Sequence, residues 1–210
     1  MRLSVRLASL GARQKNTLYA DVRRRLYPKN SKRDTIKVFK SIVKRYEDFQ
    51  NYLALNQLDS WLEMDIVMGI TGGKVLLTFN LSLCNFIFAR LLDNKTALEV
   101  TKHLYKLQNT LHQADKDFCQ LFPVILTDSG GEFARVDDIE MDLRGESKLF
   151  FCAPNRSDQK ERIEKNHTLI RDIIPKGTSF DNLTQENINL VRYHVNSVKR
   201  ASLINITWNL

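Results

Sequence analysis

Three acidic residues stand where an apolar run meets a polar neighbourhood. Asp65 lies inside the run Leu62-Glu63-Met64-Asp65-Ile66-Val67. A carboxylate within an apolar strand is costly unless something compensates it. Asp128 ends the run Pro123-Val124-Ile125-Leu126-Thr127 and is followed closely by Gly130 and Gly131. Glu164 falls in a helical pattern whose apolar stripe is Ile163, Ile170 and Ile174. Lys160, Glu164, His167 and Arg171 follow at spacings of four, three and four, on the neighbouring face of that helix. Converging carboxylates suit hard divalent cations such as Mg²⁺, which take oxygen ligands and keep waters. Two such ions about 3.5–4 Å apart activate an attacking hydroxyl and stabilise a leaving oxygen in phosphodiester displacement. Each acid alone has a plainer reading as a turn residue, a helix cap or a surface ion partner. The constellation carries the argument.

The rest of the chain must position these acids. Ile36 to Leu55 reads as a helix with a stripe of Val38, Ile42, Tyr46 and Phe49. Trp61 to Met68, Lys74 to Asn80 and Cys84 to Leu91 read as three strands of an antiparallel meander, with Gly69 to Gly73 as a turn. Lys95 to Leu111 is helical, with Val100, Leu104, Leu107 and Leu111 on one face. Phe122 to Thr127 and Lys148 to Cys152 are short buried strands separated by a polar excursion over 129–147. A helix runs from about Asp158 to Ile174, stopped by Pro175 and Gly177. Thr184 caps a last helix reaching Asn196. The expected fold is α/β, a mixed sheet with helices packed on it. The expected division is a basic, partly helical arm over 1–58 and a core over 59–210.

Composition excludes several classes. The chain has 210 residues, 43% hydrophobic and 27% charged, which is ordinary globular usage. No run approaches the roughly 18 apolar residues of a membrane span. The best stretch, Val75 to Leu92, is broken by Asn80, Asn85 and Arg90. No secretory leader is expected. Cys84, Cys119 and Cys152 have no metal-type spacing and read as reduced, buried thiols of an intracellular protein. The net charge of +8 is uneven. Residues 1–58 hold 14 Lys and Arg against 4 Asp and Glu, and the remainder holds 18 against 20. A basic arm, densest at Arg23, Arg24 and Arg25, is an electrostatic footprint for nucleic acid or a merely solvated leader.

Taken in order, the motifs resemble DDE transposases of the IS-thirty insertion-sequence family, which share the retroviral integrase catalytic core. Leu62-Glu63-Met64-Asp65-Ile66-Val67-Met68-Gly69 is similar to the first-aspartate strand. Thr127-Asp128-Ser129-Gly130-Gly131-Glu132-Phe133 is similar to the second-aspartate segment. Arg162-Ile163-Glu164-Lys165-Asn166-His167, continuing to Pro175-Lys176-Gly177, resembles the glutamate helix. Asp128 and Glu164 have 35 residues between them, the spacing of that superfamily. The resemblance covers roughly residues 44–205 and implies an RNase H-like five-stranded mixed sheet flanked by helices. It implies that Asp65, Asp128 and Glu164 are catalytic and ligate a pair of Mg²⁺ or Mn²⁺ ions. It implies that Lys160, Lys165, Asn166 and His167 line the DNA-facing side of the site. Its substrates would be double-stranded DNA, both element ends and target, cut and joined by a homo-oligomer in the bacterial cytoplasm.

Three departures stand out. Glu161 replaces a usual glycine just ahead of the catalytic glutamate, where a large acid is expected to crowd the DNA path. Lys199 replaces a usual proline in Asn196-Ser197-Val198-Lys199-Arg200. Residues 1–43 show no convincing helix-turn-helix pair, which the family's relatives carry. The first reading is therefore a metal-dependent polynucleotidyl transferase. The alternative is a truncated, catalytically weak DNA-binding remnant, and an RNase H-like nuclease on another nucleic acid fits the motifs less well.

Overall fold

The structure is a computed structural model that describes residues 44–142, 145–154 and 156–198. Arg23, Arg24, Arg25, the start of the helix expected from Ile36, and Lys199 lie outside those residues. Four main helices and five main strands are described: α1 (Tyr46–Leu55), β1 (Leu62–Met68), β2 (Val75–Leu81), β3 (Phe86–Leu92), α2 (Ala97–Gln113), β4 (Val124–Thr127), β5 (Lys148–Phe151), α3 (Glu161–Ile173) and α4 (Gln185–Ser197).

The sheet order is β3-β2-β1-β4-β5. β1, β2 and β3 form the antiparallel meander, with Asp65 opposite Thr78 and Leu77 opposite Arg90. β4 and β5 run parallel to β1, with Met64 opposite Thr127 and Thr127 opposite Phe151. This is the mixed five-stranded α/β sheet of the RNase H-like expectation. Parallel neighbours need a crossover, and α2 supplies the one between β3 and β4.

Alternation along the strands sorts residues into two layers. Leu62, Met64, Leu77, Phe79 and Ile125 pack with Val100, Leu104 and Leu107 of α2 on one face. On the other face Val67, Leu76, Ile87 and Ala89 meet Ile170 of α3 and Ile188 and Val195 of α4. Further along the same face, Val124, Leu126 and Phe150 meet Phe49 of α1. Between these two apolar patches lie Glu63, Asp65, Thr78 and Asn80, the positions that share their face by period-two alternation.

The helix ends follow local chemistry. Thr96 caps α2 by accepting from the Glu99 N–H at 3.3 Å. Thr184 caps α4 in a reciprocal box with Asn187. The helix expected from Asp158 begins as a 3₁₀ turn over Ser157–Lys160, and regular α geometry starts at Glu161. The polar excursion over 129–147 contains a 3₁₀ turn at Gly131–Phe133, a five-residue helix at Val136–Glu140 and two short paired strands, Met141–Asp142 and Gly145–Glu146. These pieces are too short for periodicity to reveal, and are anchored by Phe133 and Ile139, both 0% exposed. Cys84, Cys119 and Cys152 are buried, and none of them forms a disulfide. Among the described residues no helix is long and apolar enough to cross a membrane.

β3 is an edge strand whose unpaired backbone groups need cover. α4 provides it through two side-chain amides. Asn196 accepts from the Ile87 N–H at 3.0 Å and donates to the Ile87 carbonyl at 2.8 Å. Gln185 accepts from the Leu91 N–H at 2.9 Å and donates to the Ala89 carbonyl at 3.0 Å. Asn196→Ala strips one of these clamps, and the expected cost is about 2 kcal/mol, read as a lower urea midpoint at unchanged m-value.

Candidate active site

β1 delivers Asp65 to the face covered by α3. Its Oδ1 accepts from the Ile66 N–H at 2.7 Å, and its carbonyl accepts from the Thr78 hydroxyl at 3.0 Å. Its Oδ2 accepts from the Lys160 ammonium at 2.8 Å. The parallel register places Met64 beside Thr127, so Asp128, one residue on, emerges next to Asp65 at the end of β4. The Thr127 hydroxyl locks that register by donating to the Met64 carbonyl at 2.9 Å. The Asp128 Oδ1 accepts from the Gly130 N–H at 3.0 Å, turning the chain away from the strand. α3 contributes Glu164. All three acids line one open cleft of about 440 Å³, together with Lys160, Arg156, Gly130 and Cys152.

Lys160 is 6% exposed and donates to the Asp65 carboxylate within the cleft. Burial lowers the Lys160 pKa, but the Asp65 and Asp128 carboxylates together outweigh it and leave it raised. The Cys152 thiol is pushed up to about 12 by burial, so it stays protonated and offers no nucleophile at neutral pH. Among the described residues no three His, Cys, Asp or Glu side chains are grouped closely enough to hold a metal ion. The three acids share a cleft, with the charge of Asp65 balanced by Lys160.

Glu63 is the residue that motif reading passed over. It is 1% exposed, two positions before Asp65 on the same face. Its Oε2 accepts from the Ile163 N–H at 2.9 Å and from the Asn80 amide at 3.1 Å, and its Oε1 accepts from the Trp61 indole at 3.3 Å. The guanidinium of Arg162 lies 4.0 Å away. Burial pushes its carboxyl up, while these donors pull it back. Ile163 sits in the first turn of α3, whose N–H groups have no helical acceptor and favour an anion. Glu63 therefore fixes the start of the helix one residue before Glu164. The available signal was two acids at i and i+2 in an otherwise apolar strand.

The residues expected to line a DNA-facing surface separate. Lys160 lines the carboxylate cleft. Asn166 does not fit that role: it is 0% exposed and donates to Asn80 Oδ1 at 2.7 Å and to the Asn85 carbonyl at 3.2 Å. Lys165 pairs with Glu161 at 2.7 Å, and both line a separate hollow with Trp61 and Tyr46. Glu161 is thus absent from the residues lining the carboxylate cleft, contrary to the crowding expected from sequence. His167 faces inward, with Nε2 2.8 Å from the Thr78 hydroxyl. That hydroxyl donates to the Asp65 carbonyl, so the ring nitrogen must supply the proton of the second bond.

Two predictions test this seam. Glu63→Ala leaves the Ile163 N–H and the Asn80 and Trp61 donors without their acceptor, and is expected to cost about 3 kcal/mol in chemical unfolding. Burial lowers the His167 pKa to about 4, below an unfolded value of about 6.5. As pH falls through that window the unfolded chain takes up the proton first, so acidification destabilises the fold. The expected slope from this group is at most about 1.4 kcal/mol per pH unit. His167→Gln should flatten the difference in stability between pH 7 and pH 5, and an unchanged difference would refute a neutral, buried His167.

No family model matches the chain. It is 31% identical over 152 residues to the transposase for insertion sequence element IS4351 of Bacteroides fragilis, covering 70% of this chain and 43% of that protein. It is 32% identical over 145 residues to a protein provisionally named integrase ORF3 of Spiroplasma virus SpV1-R8A2 B, covering 68% and 42%. The chain thus spans less than half the length of the curated relatives it matches. Among solved structures it is similar to a chain of the simian T-cell lymphotropic virus intasome bound to PP2A regulatory subunit B56 gamma, with TM-score 0.48 and 13% identity over 66% of this chain and 48% of that one. It is also similar to the catalytic core domain of BIV integrase, with TM-score 0.45 and 16% identity over 67% of this chain and 85% of that one. The sequence kinship that spans about 70% of the chain is thus with an insertion-sequence transposase and a protein named as an integrase, the kind of protein that its motifs resemble.

Proposed function

We propose that this protein cuts and joins DNA, using the carboxylate cleft for metal-dependent polynucleotidyl transfer during transposition. The observation that carries the reading is the shared cleft: acids from β1, from the end of β4 and from α3 line one opening at the sheet edge of α3. Three carboxylates are a hard oxygen donor set, which suits Mg²⁺ or Mn²⁺. Asp65, Asp128 and Glu164 would hold a pair of such ions only after drawing closer than they stand here and after Lys160 releases Asp65; the ions would supply an activated hydroxyl and stabilise the leaving oxygen.

The chain's own residues have defined tasks. The Thr127 hydroxyl and the Ile66 and Gly130 N–H groups orient two of the acids before any substrate arrives. Glu63 holds α3 so that Glu164 faces the same opening. Arg156, exposed and paired with Asp158 at 2.8 Å, stands at the cleft, and Lys160 lies buried within it against Asp65. Cys152, held protonated, adds no competing thiolate. The substrates are element ends and target within double-stranded DNA, the protein works as an oligomer that pairs two ends, and the setting is the bacterial cytoplasm. The arm containing Arg23, Arg24 and Arg25, within 1–58, adds sequence-independent phosphate contacts ahead of the 59–210 core.

One observation favours the second reading, a DNA-binding protein with weak catalysis. The ammonium of Lys160 already balances Asp65, so a cation at that carboxylate must displace a buried ion pair. Both readings predict DNA binding, and only the first predicts chemistry. The deciding measurement is cleavage and strand transfer with Mg²⁺ or Mn²⁺ on DNA carrying the element's ends. The parent should be active and Asp128→Asn lower by at least about a hundredfold, since such metal contacts are worth several kcal/mol at about 1.4 kcal/mol per tenfold. Equal inactivity of both, with DNA binding intact, would leave the second reading standing.

A further inference from the structure

A second opening lies at the edge of the sheet, away from the acids. It is a groove of about 710 Å³ formed where the start of β2, the end of β3, α2 and the first turn of α4 meet. It shares no residue with the carboxylate cleft, and β2 stands between edge strand β3 and the β1 strand that carries Asp65. Lys74, Arg90, His103 and Lys106 line it, and none of the described residues that line it is acidic.

Two acids near the groove, Glu99 and Asp181, are engaged, and Asp181 also feels the charge of Lys74. Glu99 takes Lys102 at 3.1 Å and His103 at 3.2 Å. Asp181 accepts from the Lys74 backbone N–H at 2.9 Å and the Ser179 hydroxyl at 2.7 Å. Arg90 differs from an ordinary surface arginine. It is half-buried on the α2 face of the sheet, yet among the described residues its guanidinium has no hydrogen bond or ion pair. The charged group that acts on it is a second cation, Arg192 of α4, and burial together with that charge lowers its pKa. A half-buried guanidinium beside a like charge is unfavourable unless an anion completes it. Lys74 and Lys106 likewise form no ion pair among the described residues. Thr184 and Gln185, at the positive end of the 13-residue α4, also face the groove.

We propose that this groove is a second DNA-backbone surface, in which Lys74, Arg90 and Lys106 contact phosphates of a duplex outside the catalytic cleft. The inference rests on the reading of the chain as a DNA-acting protein. The open shape and the distribution of cations over β2, β3 and α2 suit successive phosphates along a strand. A single small anion would call for donors converging on one point.

The test is fluorescence anisotropy of the full chain on a short labelled duplex, in EDTA, across a series of NaCl concentrations. Lys74→Gln with Lys106→Gln changes two side chains near solvent, and Arg90→Gln changes the half-buried one. Circular dichroism melting verifies that each variant is folded. The double variant should bind about tenfold more weakly near 0.1 M salt, and its slope of log K against log salt should be shallower by about one to two, near 0.9 for each phosphate no longer neutralised. Folded variants with the parent's affinity and slope would overturn the groove while leaving the proposed function intact. A parent that fails to bind the duplex at all overturns the DNA reading itself, and this inference with it. Thermal stabilisation by inorganic phosphate that the variants lose, with duplex binding unchanged, would assign a small-anion site and overturn the DNA surface.

Discussion

The buried carboxylate of Glu63 is the constraint on which the site depends. It holds the first turn of α3 against β1 through the Ile163 N–H, and it orders Asn80 and Trp61 at the same time. From there a polar seam runs along the sheet face: Asn80 to Asn166, Thr78 to His167, Asp65 to Lys160. Every member is matched to a donor or acceptor, as a low-dielectric setting requires. The seam divides two apolar patches that would otherwise allow α3 to slide along the sheet. A helix that slid by one turn would lose several directional bonds at once, so the seam fixes register where hydrophobic contact alone would not.

That constraint links fold to chemistry. A carboxylate cleft requires three acids from distant parts of the chain to arrive together. The sheet supplies two of them through the parallel register of β1 and β4, reinforced by the Thr127 hydroxyl. The third arrives on a helix, and helices pack with tolerance for rotation and translation. Glu63 removes that tolerance one residue before Glu164. A similar device operates at the opposite edge, where Gln185 and Asn196 tie both ends of α4 to β3.

The charge arrangement has two regimes. In the carboxylate cleft Lys160 is buried and paired with Asp65, so that loss of either partner would leave an uncompensated charge. In the edge groove Lys74, Arg90 and Lys106 form no ion pair among the described residues, and Glu99 is engaged with Lys102 and His103. The same residue type therefore has different roles in the two places, set by what lies within hydrogen-bonding reach.

Much was legible from the amino-acid sequence because it depends on local pattern. Alternation in β1 to β3, the α2 stripe of Val100, Leu104 and Leu107, the Thr184 cap and the spacing of Asp65, Asp128 and Glu164 are all short-range or ordinal features, and each emerges where the pattern puts it. Illegible were the elements too short to show a period, such as Gly131–Phe133 and Val136–Glu140. Contacts across about 80 to 100 residues were equally hidden. Position along a helix does not say whether Asn166 meets water or Asn80, nor whether Glu161 turns toward the acids or toward Lys165. The strands and helices could be read from the amino acids alone, because they follow from side-chain period and residue type. The hydrogen bonds of Glu63, the pairing of Lys160 with Asp65 and the inward turn of Asn166 and His167 emerge from packing. Those depend on which side chains the packed sheet and α3 bring within about 3 Å of one another, a distance no one-dimensional pattern encodes.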